Sequence, residues 1–552
     1  MVGGIGIALD KQKNLSDINE FKVVLTNYND KISQEITPIV HSFSIFEDIN
    51  SPVCTCELII QDALGLLANL PIIGEEYITI QYRTRGMKAK AEAVGGEAGE
   101  AITDLFPLVL RSFRADKIID HEESTEKLLN FKLHGVDDHY HINEGIDINQ
   151  SFVGSNCTLA ANSIFYSSFI NTSLEYRPFN KQTKLLGKGT ANVKKCNNTS
   201  AYIAPGLTPF EVIEQLKEEA EHKEVGNPND YVFFQNLEGI HLTTLAELKQ
   251  QDPIFTYYLK DPNTEEYEDV EKGEFVQDDF LGSDKNVIMN LKYVRGYDHV
   301  ENFQSGFYGN RVVAIDLLNK MYDERAESYS SNYSNLSTLE GPTGGALVSS
   351  GEYPKGFFNQ VGSTHTRYIA TELLSTSLDT GNPSSFSTVK YPSYSLSPYI
   401  YPIDKKDPDV KKDKINGTIS NKAARERQAD IISKDPTVAN PRKRHLFLNK
   451  NIFAKGQMNN IVINILVPGN SALTVGQVIN VFFPRRTETP KAGEYDQLFT
   501  SGNSAKFFVT HVRQTYRTES SGFFTTVTIV KDSYAAKIDK IFESNNEGAG
   551  DE

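Results

Sequence analysis

The chain has 552 residues, more than one ordinary hydrophobic core accommodates, and this length predicts several domains. Hydrophobic residues make up 39% and charged residues 23%, which is typical of a globular chain and excludes a largely disordered one. The formal net charge of −16 repels nucleic-acid phosphates and anionic lipids, so specific nucleic-acid binding is not expected. The negative charge is still compatible with a passive channel through which DNA slides without binding.

The N-terminal sequence and the cysteines indicate a chain made and kept reduced in a cytoplasm. MVGGIGIALDKQKNLSD lacks a basic segment followed by an apolar run, and no stretch approaches the roughly 20 apolar residues of a transmembrane helix. We therefore expect no membrane insertion and four buried thiols at Cys54, Cys56, Cys157 and Cys196. Cys54 and Cys56 fall two apart in a strand-like run and should share one face.

The first part of the chain is rich in predicted strands. FKVVLTN, VHSFSIFED, CTCELIIQDA and EEYITIQYRT have the length and composition of strands, and ALGLLANLPIIG between them indicates a helical turn or loop. After an Ala/Gly/Glu/Lys-rich loop over residues 85–104, strands resume with FPLVLRSFRADKIID and KLLNFKLHGVDD. We predict a first β-barrel domain over residues 1–148 with a loop insertion at 85–104.

The middle region, residues 149–284, is predicted to be mixed helix and strand. SNCTLAANSIFYSSF carries apolar residues at helical spacing, namely Leu159, Ile164, Phe165 and Phe169. Thr208-Pro209-Phe210-Glu211 predicts a capping box and an N-terminal proline for a second helix, whose apolar stripe comprises Phe210, Ile213 and Leu216. DYVFFQNLEGIHLTTLAEL then predicts a strand, a tight turn at Glu238-Gly239, a strand and a short helix.

The remaining chain is predicted to form a second β-barrel domain from residues 285–325 and 416–540. NVIMNLKYVRGYDHV indicates a strand, SGFYGNRVVAIDLLNKMYD a strand or helix, and SNKAARERQADIISK a helix capped by Ser420. NNIVINILVPGNSALTVGQVINVFFP, SAKFFVTHVRQTYR and FFTTVTIVKDSY predict antiparallel strands. Residues 326–415 form a Ser/Gly/Tyr-rich insertion that is expected to order against a neighbouring subunit, and residues 541–552 a disordered tail.

No catalytic motif is present in the sequence. The strongest site candidate is HGVDDHYHINE, whose polar residues are His134, Asp137, Asp138, His139, His141 and Glu144. Alternation along a strand would place His139 and His141 on one face, where they and a carboxylate can ligate a divalent metal. The alternative, which we favour, is a polar strand end and turn with histidines at a subunit seam. We predict no catalytic residue, no cofactor and no metal.

Two further charged patterns have simple interpretations. The carboxylates of EEAEHKE predict a solvated helix face and not an acid/base pair. The short basic clusters Arg442-Lys443-Arg444 and Arg485-Arg486 can grip a phosphate or an acidic neighbour, and in so acidic a chain we favour salt bridges between subunits.

Several segments, in their order along the chain, resemble a known family. SIFEDINSPVCTCELIIQDALGLLANLPIIGEEYITIQY resembles the opening barrel of the central baseplate hub proteins of contractile-tailed bacteriophages. DYVFFQNLEGIHLTTLAEL and VRGYDHVENFQSGFYGNRVVAIDLLNKMY resemble its middle segments. VPGNSALTVGQVINVFFP, SAKFFVTHVRQTYR and TTVTIVKDSY resemble its closing barrel. The resemblance leaves out residues 85–104, 326–415 and the tail.

The resemblance implies a β-dominated α+β fold with two tandem antiparallel, tail-tube-like β-barrel domains, a helical middle region and long loop insertions. It further implies a non-enzymatic homotrimer in the virion baseplate, assembled in the host cytoplasm, that joins the hexameric tail tube to the trimeric spike. The type VI secretion spike hub is related to the same family. Tube-initiator, wedge and tape-measure proteins are further expected partners.

Two alternatives to the hub stay open. The chain can be another structural part of a tail or injection system, such as a tube initiator or a wedge protein. The less favoured alternative is a tail-associated polysaccharide hydrolase. Such sites pair carboxylates in an aromatic-lined cleft, often with Trp, and Trp is absent from this chain.

Overall fold

The computed structural model confirms the β-dominated α+β class, with most strands in one 14-stranded sheet. The structure describes residues 18–27, 32–62, 65–66, 72–84, 108–125, 128–152, 156–170, 196, 202–220, 230–259, 286–296, 298–316, 321–341, 365–370, 444–485, 495–500, 504–518 and 522–535. The predicted loop at 85–104, the helix capped by Ser420 and the tail 541–552 lie outside these residues. No helix among the described residues is long and apolar enough to span a membrane.

The first strands form what we call the N-terminal strand group. Its members are β1 (Ile18–Thr26), β2 (Ser33–Glu35), β3 (Val40–Asp48), β4 (Thr55–Asp62), β5 (Tyr77–Thr84), β6 (Val109–Thr125) and β7 (Leu128–Val136). They pair in the order β2-β1-β5-β6-β7-β4-β3. In β5, buried residues alternate strictly with half-buried ones, as a strand covering a core on one face requires. The prediction of strands in this region is confirmed.

The later strands form the C-terminal strand group. Its members are β10 (Phe255–Leu259), β11 (Val287–Ile288), β12 (Asn290–Arg295), β16 (Ile461–Pro468), β17 (Val478–Phe482), β18 (Lys506–Arg517) and β19 (Gly522–Lys531). The pairing runs β10-β17-β18-β19-β16-β12, and β11, which Met289 alone separates from β12, pairs back to β10. These strands contribute most of the residues of a large apolar cluster.

Strand β18 belongs to both groups. Residues Lys506–Phe508 pair with β17, whereas residues His511–Arg517 pair with Ser42–Asp48 of β3. From Phe508 to Arg517 β18 also pairs with β19, with a register shift between Val509 and His511. A β-bulge at such a point bends the strand and increases its twist. One continuous strand thus fixes how the two groups lie relative to each other.

The middle region contains helices that pack on a hairpin. The helices are α1 (Asp138–Glu144), α2 (Cys157–Phe165), α3 (Pro209–Glu219) and α4 (Leu245–Lys249), and the hairpin consists of β8 (Tyr231–Asn236) and β9 (Gly239–Thr244). The predicted capping box of Thr208 and Glu211 is confirmed, as is the buried stripe of α3. The predicted α2 is also confirmed, except that Leu159 is 43% exposed and lies outside its packed face.

A smaller three-stranded sheet stands apart from the large one. It consists of β13 (Gly309–Asp316), β14 (Met321–Ser328) and β15 (His365–Ala370), accompanied by the helices α5 (His299–Gln304), α6 (Tyr329–Asn332) and α7 (Arg444–Gln457). The segment that the sequence left as strand or helix is a strand hairpin. Helix α7 was not predicted. Its Phe453 packs with Phe307 and Tyr329 in a separate aromatic cluster.

Gly135 marks a tight point of the N-terminal core. It pairs with Cys56 on one side and Ala115 on the other, and a Cβ placed on it would lie 2.8 Å from the Cys56 Sγ. We expect Gly135→Ala to lower the free energy of unfolding by about 1–3 kcal/mol through overpacking. Because Trp is absent, circular dichroism in a urea titration is the suitable measurement.

The matched control is Gly296→Ala, because nothing lies within 4 Å of a Cβ at Gly296. It should leave the free energy of unfolding within about 0.5 kcal/mol of the wild-type value. Equal effects of the two substitutions would show that the Gly135 contact is not tight.

Candidate functional site: a buried polar junction between the strand groups

A buried ion pair lies where the two strand groups meet. Glu47 on β3 bonds through Oε1 to the guanidinium of Arg111 on β6, and the two side chains are only 3% and 2% exposed. Arg111 also donates from one of its terminal nitrogens to the carbonyl of Asn236 at 3.1 Å. Side chains alternate between the two faces of a strand, so Glu47 lies on the same face of β3 as the buried Ile45, and Arg111 on the same face of β6 as the buried Phe113.

The second oxygen of Glu47 reaches the C-terminal strand group. Its Oε2 accepts from the backbone N–H of Val475 at 3.2 Å and from the hydroxyl of Thr474. Asn236 at the end of β8 donates from Nδ2 to the Val475 carbonyl at 3.1 Å, and the N–H of Leu237 donates to Thr474 Oγ1 at 3.1 Å. Three parts of the chain therefore converge on one carboxylate. We call this set of contacts the polar junction.

The surroundings of the polar junction hold Arg111, Cys54 and Tyr82 in fixed protonation states. Burial alone would lower the pKa of Arg111, but the neighbouring Cys54 and Glu47 outweigh it and raise the pKa. Burial raises the pKa of the Cys54 thiol and of the Tyr82 phenol well above their ordinary values. Arg111 therefore stays charged while Cys54 and Tyr82 stay protonated near neutral pH. The arrangement is suited to holding segments of the chain together.

Further polar contacts continue the connection around Ser471. The Tyr82 hydroxyl donates to the amide oxygen of Gln514 on β18, and Gln514 Nε2 donates to the Leu473 carbonyl at 3.2 Å. The hydroxyls of Thr84 and Ser471 lie 3.0 Å apart. Because each of these groups is buried, its hydrogen bond avoids the cost of an unsatisfied polar atom.

The predicted His134–Glu144 cluster is not built as a strand face. His139 and His141 lie on helix α1, so the expectation that alternation brings them to one face of a strand is wrong. The cause is local: Asp137 caps the helix by accepting from the N–H of His139 at 3.0 Å, and this cap starts a helix where the strand ends.

Five of the six residues of the cluster find partners, whereas Nε2 of His141 has no hydrogen-bond partner among the described residues. His139 is buried against Phe165 and Phe169 and pairs with Asp137, whose other oxygen accepts from Gln235 Nε2 at 2.8 Å. In contrast, the other members point to different neighbours: His134 lies 3.2 Å from Asp116, Asp138 lies 2.7 Å from Arg114, and Glu144 accepts from Asn143. Within the described ranges no group of three or more His, Cys, Asp and Glu residues is arranged to hold a metal.

The other sequence candidates are placed as follows. Cys54 and Cys56 are both buried on one face, as predicted, and none of the four cysteines forms a disulfide. Arg485 is half-buried beside the bridge between Pro484 and Tyr495, whereas Arg442, Lys443 and Arg486 lie outside the described residues. Most of EEAEHKE also lies outside them.

Sequence reasoning missed Glu47 and Arg111. The signal was present, because each charged residue occupies the inward parity of a strand that is otherwise apolar there. A charge at such a position must find a partner, since an unpaired buried charge is too costly. What the sequence did not show is which strand supplies that partner, because the pair joins residues 64 positions apart.

The structure defines the protein as a β-dominated chain of two strand groups joined by a polar junction. No family model matches the chain, and no curated protein matches its sequence. Several solved structures are similar to it, and three of them are a Neisseria tail protein, a Shewanella prophage tail protein and a Francisella complex. A tail protein from Neisseria meningitidis MC58 has a TM-score of 0.43 at 10% identity, covering 93% of this chain and 96% of that one.

The second is the 43 kDa tail protein of prophage MuSo2 from Shewanella oneidensis, with a TM-score of 0.41 at 9% identity and coverage of 93% and 98%. The third is the Francisella PdpA–VgrG complex, with a TM-score of 0.37 at 8% identity and coverage of 93% of this chain and 58% of that one. The printed names of these structures are those of tail proteins and of a VgrG complex. TM-scores below 0.5 do not establish a common fold, so the architecture rests on the strand pairing itself.

Breaking the buried ion pair should be costly. Arg111→Met leaves the Glu47 carboxylate buried without its cation, and we expect the free energy of unfolding to fall by about 3–5 kcal/mol. The control is Arg295→Met, which removes the exposed pair of Arg295 and Glu301 at 2.6 Å and should cost less than about 1 kcal/mol. The double variant Glu47→Gln/Arg111→Met should lose less than the sum of its single changes. Similar losses for Arg111→Met and Arg295→Met would contradict a structural role for the polar junction.

The Asp137–His139 pair predicts a pH dependence. Burial alone would lower the pKa of His139, but the Asp137 carboxylate raises it above its ordinary value of 6.5. Burial alone would raise the pKa of Asp137, but His139 and the hydrogen bonds lower it below 3.8. Because the folded-state pKa of His139 is raised, the stabilisation that it contributes is complete below pH 6.5 and is lost as the pH rises through that raised pKa. Because the folded-state pKa of Asp137 is lowered, the stabilisation that it contributes is lost as the pH falls through that lowered pKa.

The measurement compares wild type with His139→Asn in urea titrations at pH 6 and at pH 9. The difference in the free energy of unfolding should be larger at pH 6, because only there is the imidazolium fully formed. A difference that does not change with pH would show that the pair contributes packing and not charge.

Proposed function

We propose that the chain is the structural hub subunit of a phage tail baseplate, and that three copies form a ring joining the hexameric tail tube to the trimeric central spike. The observation that carries the proposal is the pair of strand groups held in one relation by β18 and the polar junction. Three chains then present six strand groups, which match a sixfold tube, while the ring keeps the threefold symmetry of a spike.

The proposal takes the two strand groups as tandem tail-tube-like barrels, corresponding to the predicted domains at residues 1–148 and at 285–325 with 416–540, the second enlarged by β10 from the middle region. A ring needs heterologous interfaces that close on themselves, and such interfaces require the two contacting surfaces of one subunit to keep a constant angle. A shared strand and a buried ion pair keep that angle more constant than a flexible linker would. The work of such a subunit is mechanical, and no catalytic step is part of it.

The exposed surface of β12 is the surface that we assign to subunit contact. Strand β12 pairs with β16 in the C-terminal strand group. Its side chains are unusually apolar for a surface, since Tyr293 is 47% and Val294 53% exposed. Exposed apolar residues that lie together are typical of protein–protein contact sites.

The partners of the proposed hub follow from its place in the tail. The sixfold side contacts the tail tube or tube-initiator proteins, and the threefold side contacts the spike. The insertion 326–415 is proposed to contact wedge or tape-measure proteins. The subunit is part of the virion and is assembled in the host cytoplasm. The acidic net charge of −16 suits a channel wall that DNA passes without binding.

Native mass spectrometry of the purified full-length chain tests the assembly, in the presence and absence of its cognate spike protein. We expect a trimer of the 61.7 kDa chain, at the latest when the spike is added. A chain that stays monomeric with the spike, or that assembles into a hexamer, would contradict the proposal. Turnover of peptidoglycan or capsule that a single Asp or Glu substitution abolishes would support the polysaccharide hydrolase instead.

Val294→Glu tests the contact surface. A carboxylate on the exposed surface of β12 should raise the dissociation constant of the trimer at least tenfold, because the carboxylate must be desolvated at the interface. The folded monomer should keep the wild-type circular dichroism spectrum. Ile203→Glu, at a residue that is 65% exposed outside the C-terminal strand group, is the control and should leave the trimer unchanged. Equal weakening by both variants would exclude β12 as the specific contact.

A further inference from the structure

A lysine and an aspartate from distant parts of the chain meet inside the protein. Lys249 is the last residue of α4, and Asp532 directly follows β19. The lysine Nζ lies 2.9 Å from Asp532 Oδ2, and the two side chains are only 2% and 0% exposed. Leu248 and Val530, close to them in the chain, belong to the large apolar cluster. The pair is therefore enclosed in the interior and shielded from bulk water.

The two carboxylate oxygens of Asp532 have different surroundings. Oδ1 accepts from the backbone N–H of Leu339 at 3.1 Å and from the hydroxyl of Ser533 at 2.9 Å. Among the described residues no group donates a hydrogen bond to Oδ2, and its contact with Lys249 is close without the alignment of a hydrogen bond. A buried carboxylate oxygen in this state is costly. One oxygen is thus held by two donors, while the other faces the lysine nitrogen.

A second buried pair beside Asp532 shows how this part of the interior acts on charges. Lys531 is fully buried and donates to Glu340 Oε1 at 2.6 Å and to the carbonyl of Lys506 at 3.0 Å. Burial lowers the pKa of Lys531 from its ordinary value of 10.5, although the charges of Glu340 and Asp532 oppose that shift. In such surroundings a neutral amine beside a neutral carboxylic acid competes with an ion pair.

We propose that Lys249 and Asp532 join in an intramolecular isopeptide bond, formed in the folded chain by reaction of the two side chains with each other. The bond replaces two buried charges by a neutral amide, and it removes the carboxylate oxygen that lacks a hydrogen bond. It ties α4 of the middle region to the end of β19. Nothing in the hub proposal requires this bond, and either proposal can fail without the other.

The reaction releases one water molecule. A proton first passes from the Lys249 ammonium to Asp532 Oδ2, which gives an amine and a carboxylic acid. The amine nitrogen then attacks Asp532 Cγ, and negative charge develops on Oδ1. The nitrogen passes a second proton to the Oδ2 hydroxyl, the Cγ–Oδ2 bond breaks, and water leaves as Oδ1 returns to a carbonyl oxygen. The product has one new Nζ–Cγ bond, and no oxidant or reductant is consumed.

The geometry assists each part of this reaction. The Leu339 N–H and the Ser533 hydroxyl already donate to Oδ1, where the negative charge develops, and so act as an oxyanion hole does. The fold holds the nitrogen and the carboxylate in contact, which replaces a rare encounter by a permanent one. Exclusion of bulk water opposes hydrolysis of the product. By contrast, two acceptors already engage the Lys531 ammonium, so the Lys531–Glu340 pair stays ionic.

Mass spectrometry of the purified full-length protein tests the proposal. The intact mass is measured after denaturation, and the chain is then digested with trypsin. We expect a mass lower than that of the sequence by one water molecule. Trypsin should fail to cleave after Lys249, and one branched peptide should carry Lys249 joined to Asp532. Separate linear peptides with the full mass, or a branch that joins Lys531 to Glu340 instead, would overturn the proposal.

Lys249→Arg is the matched variant, because arginine keeps the positive charge beside Asp532 but its guanidinium is a poor nucleophile. It should have the full mass of its sequence and migrate differently from the wild-type chain in a denaturing gel, because the loop is no longer closed. The control is Lys22→Arg at the exposed pair of Lys22 and Glu35, which should lose one water as the wild type does.

Loss of one water from Lys249→Arg would place the dehydration elsewhere and overturn the proposal. Because the wild-type peptide map is complete in itself, a variant that fails to fold leaves the main test intact.

Discussion

Strand β18 is the element on which the rest of the architecture depends. Its first residues pair with β17 and its last seven with β3, so the backbone hydrogen bonds of two strand groups run through one continuous segment. The bulge between Val509 and His511 lies where the pairing passes from one group to the other. A hinge at this point would have to break backbone hydrogen bonds on both sides, and the two groups therefore move as one.

The polar junction further restricts the relative orientation of the two strand groups. Taking the charges of Glu47 and Arg111 out of water costs several kcal/mol per ion, and their mutual attraction with the bonds to Thr474, Val475 and Asn236 offsets this cost. An apolar contact would tolerate many relative angles of the two groups. A carboxylate that must meet a guanidinium, a hydroxyl and a backbone N–H at once tolerates few, and a closing ring needs that restriction.

Much of the fold followed from local patterns. The alternation in β5, the capping box of Thr208 and Glu211, and the turn before Gly239 are each determined within a few residues, and each was predicted correctly. Helix α1 was missed because the Asp137 cap converts an apparent strand end into a helix. Helix α7 was missed because the packing of its buried Phe453 is completed only by Phe307 and Tyr329 from far earlier in the chain.

The candidate site was much harder to predict than the fold. Glu47, Arg111 and Val475 are brought together by tertiary structure alone, and no spacing in the sequence encodes their meeting. The alternation of side chains along β3 and β6 could mark Glu47 and Arg111 as buried charges that need partners. Only the pairing of β3 with β18 in the folded chain identifies the loop that approaches them.

Native-state hydrogen exchange of the backbone amides in β3 and β18 tests most directly whether the two strand groups form one body. If they do, the amides that join residues 42–48 to residues 511–517 exchange only through the opening that also exposes the cores of both groups. Their free energy of opening would then equal that of the most protected amides in β16 and β7. Exchange of these amides through a separate opening of much lower free energy, with both cores still protected, would show two independently moving domains and would contradict the account.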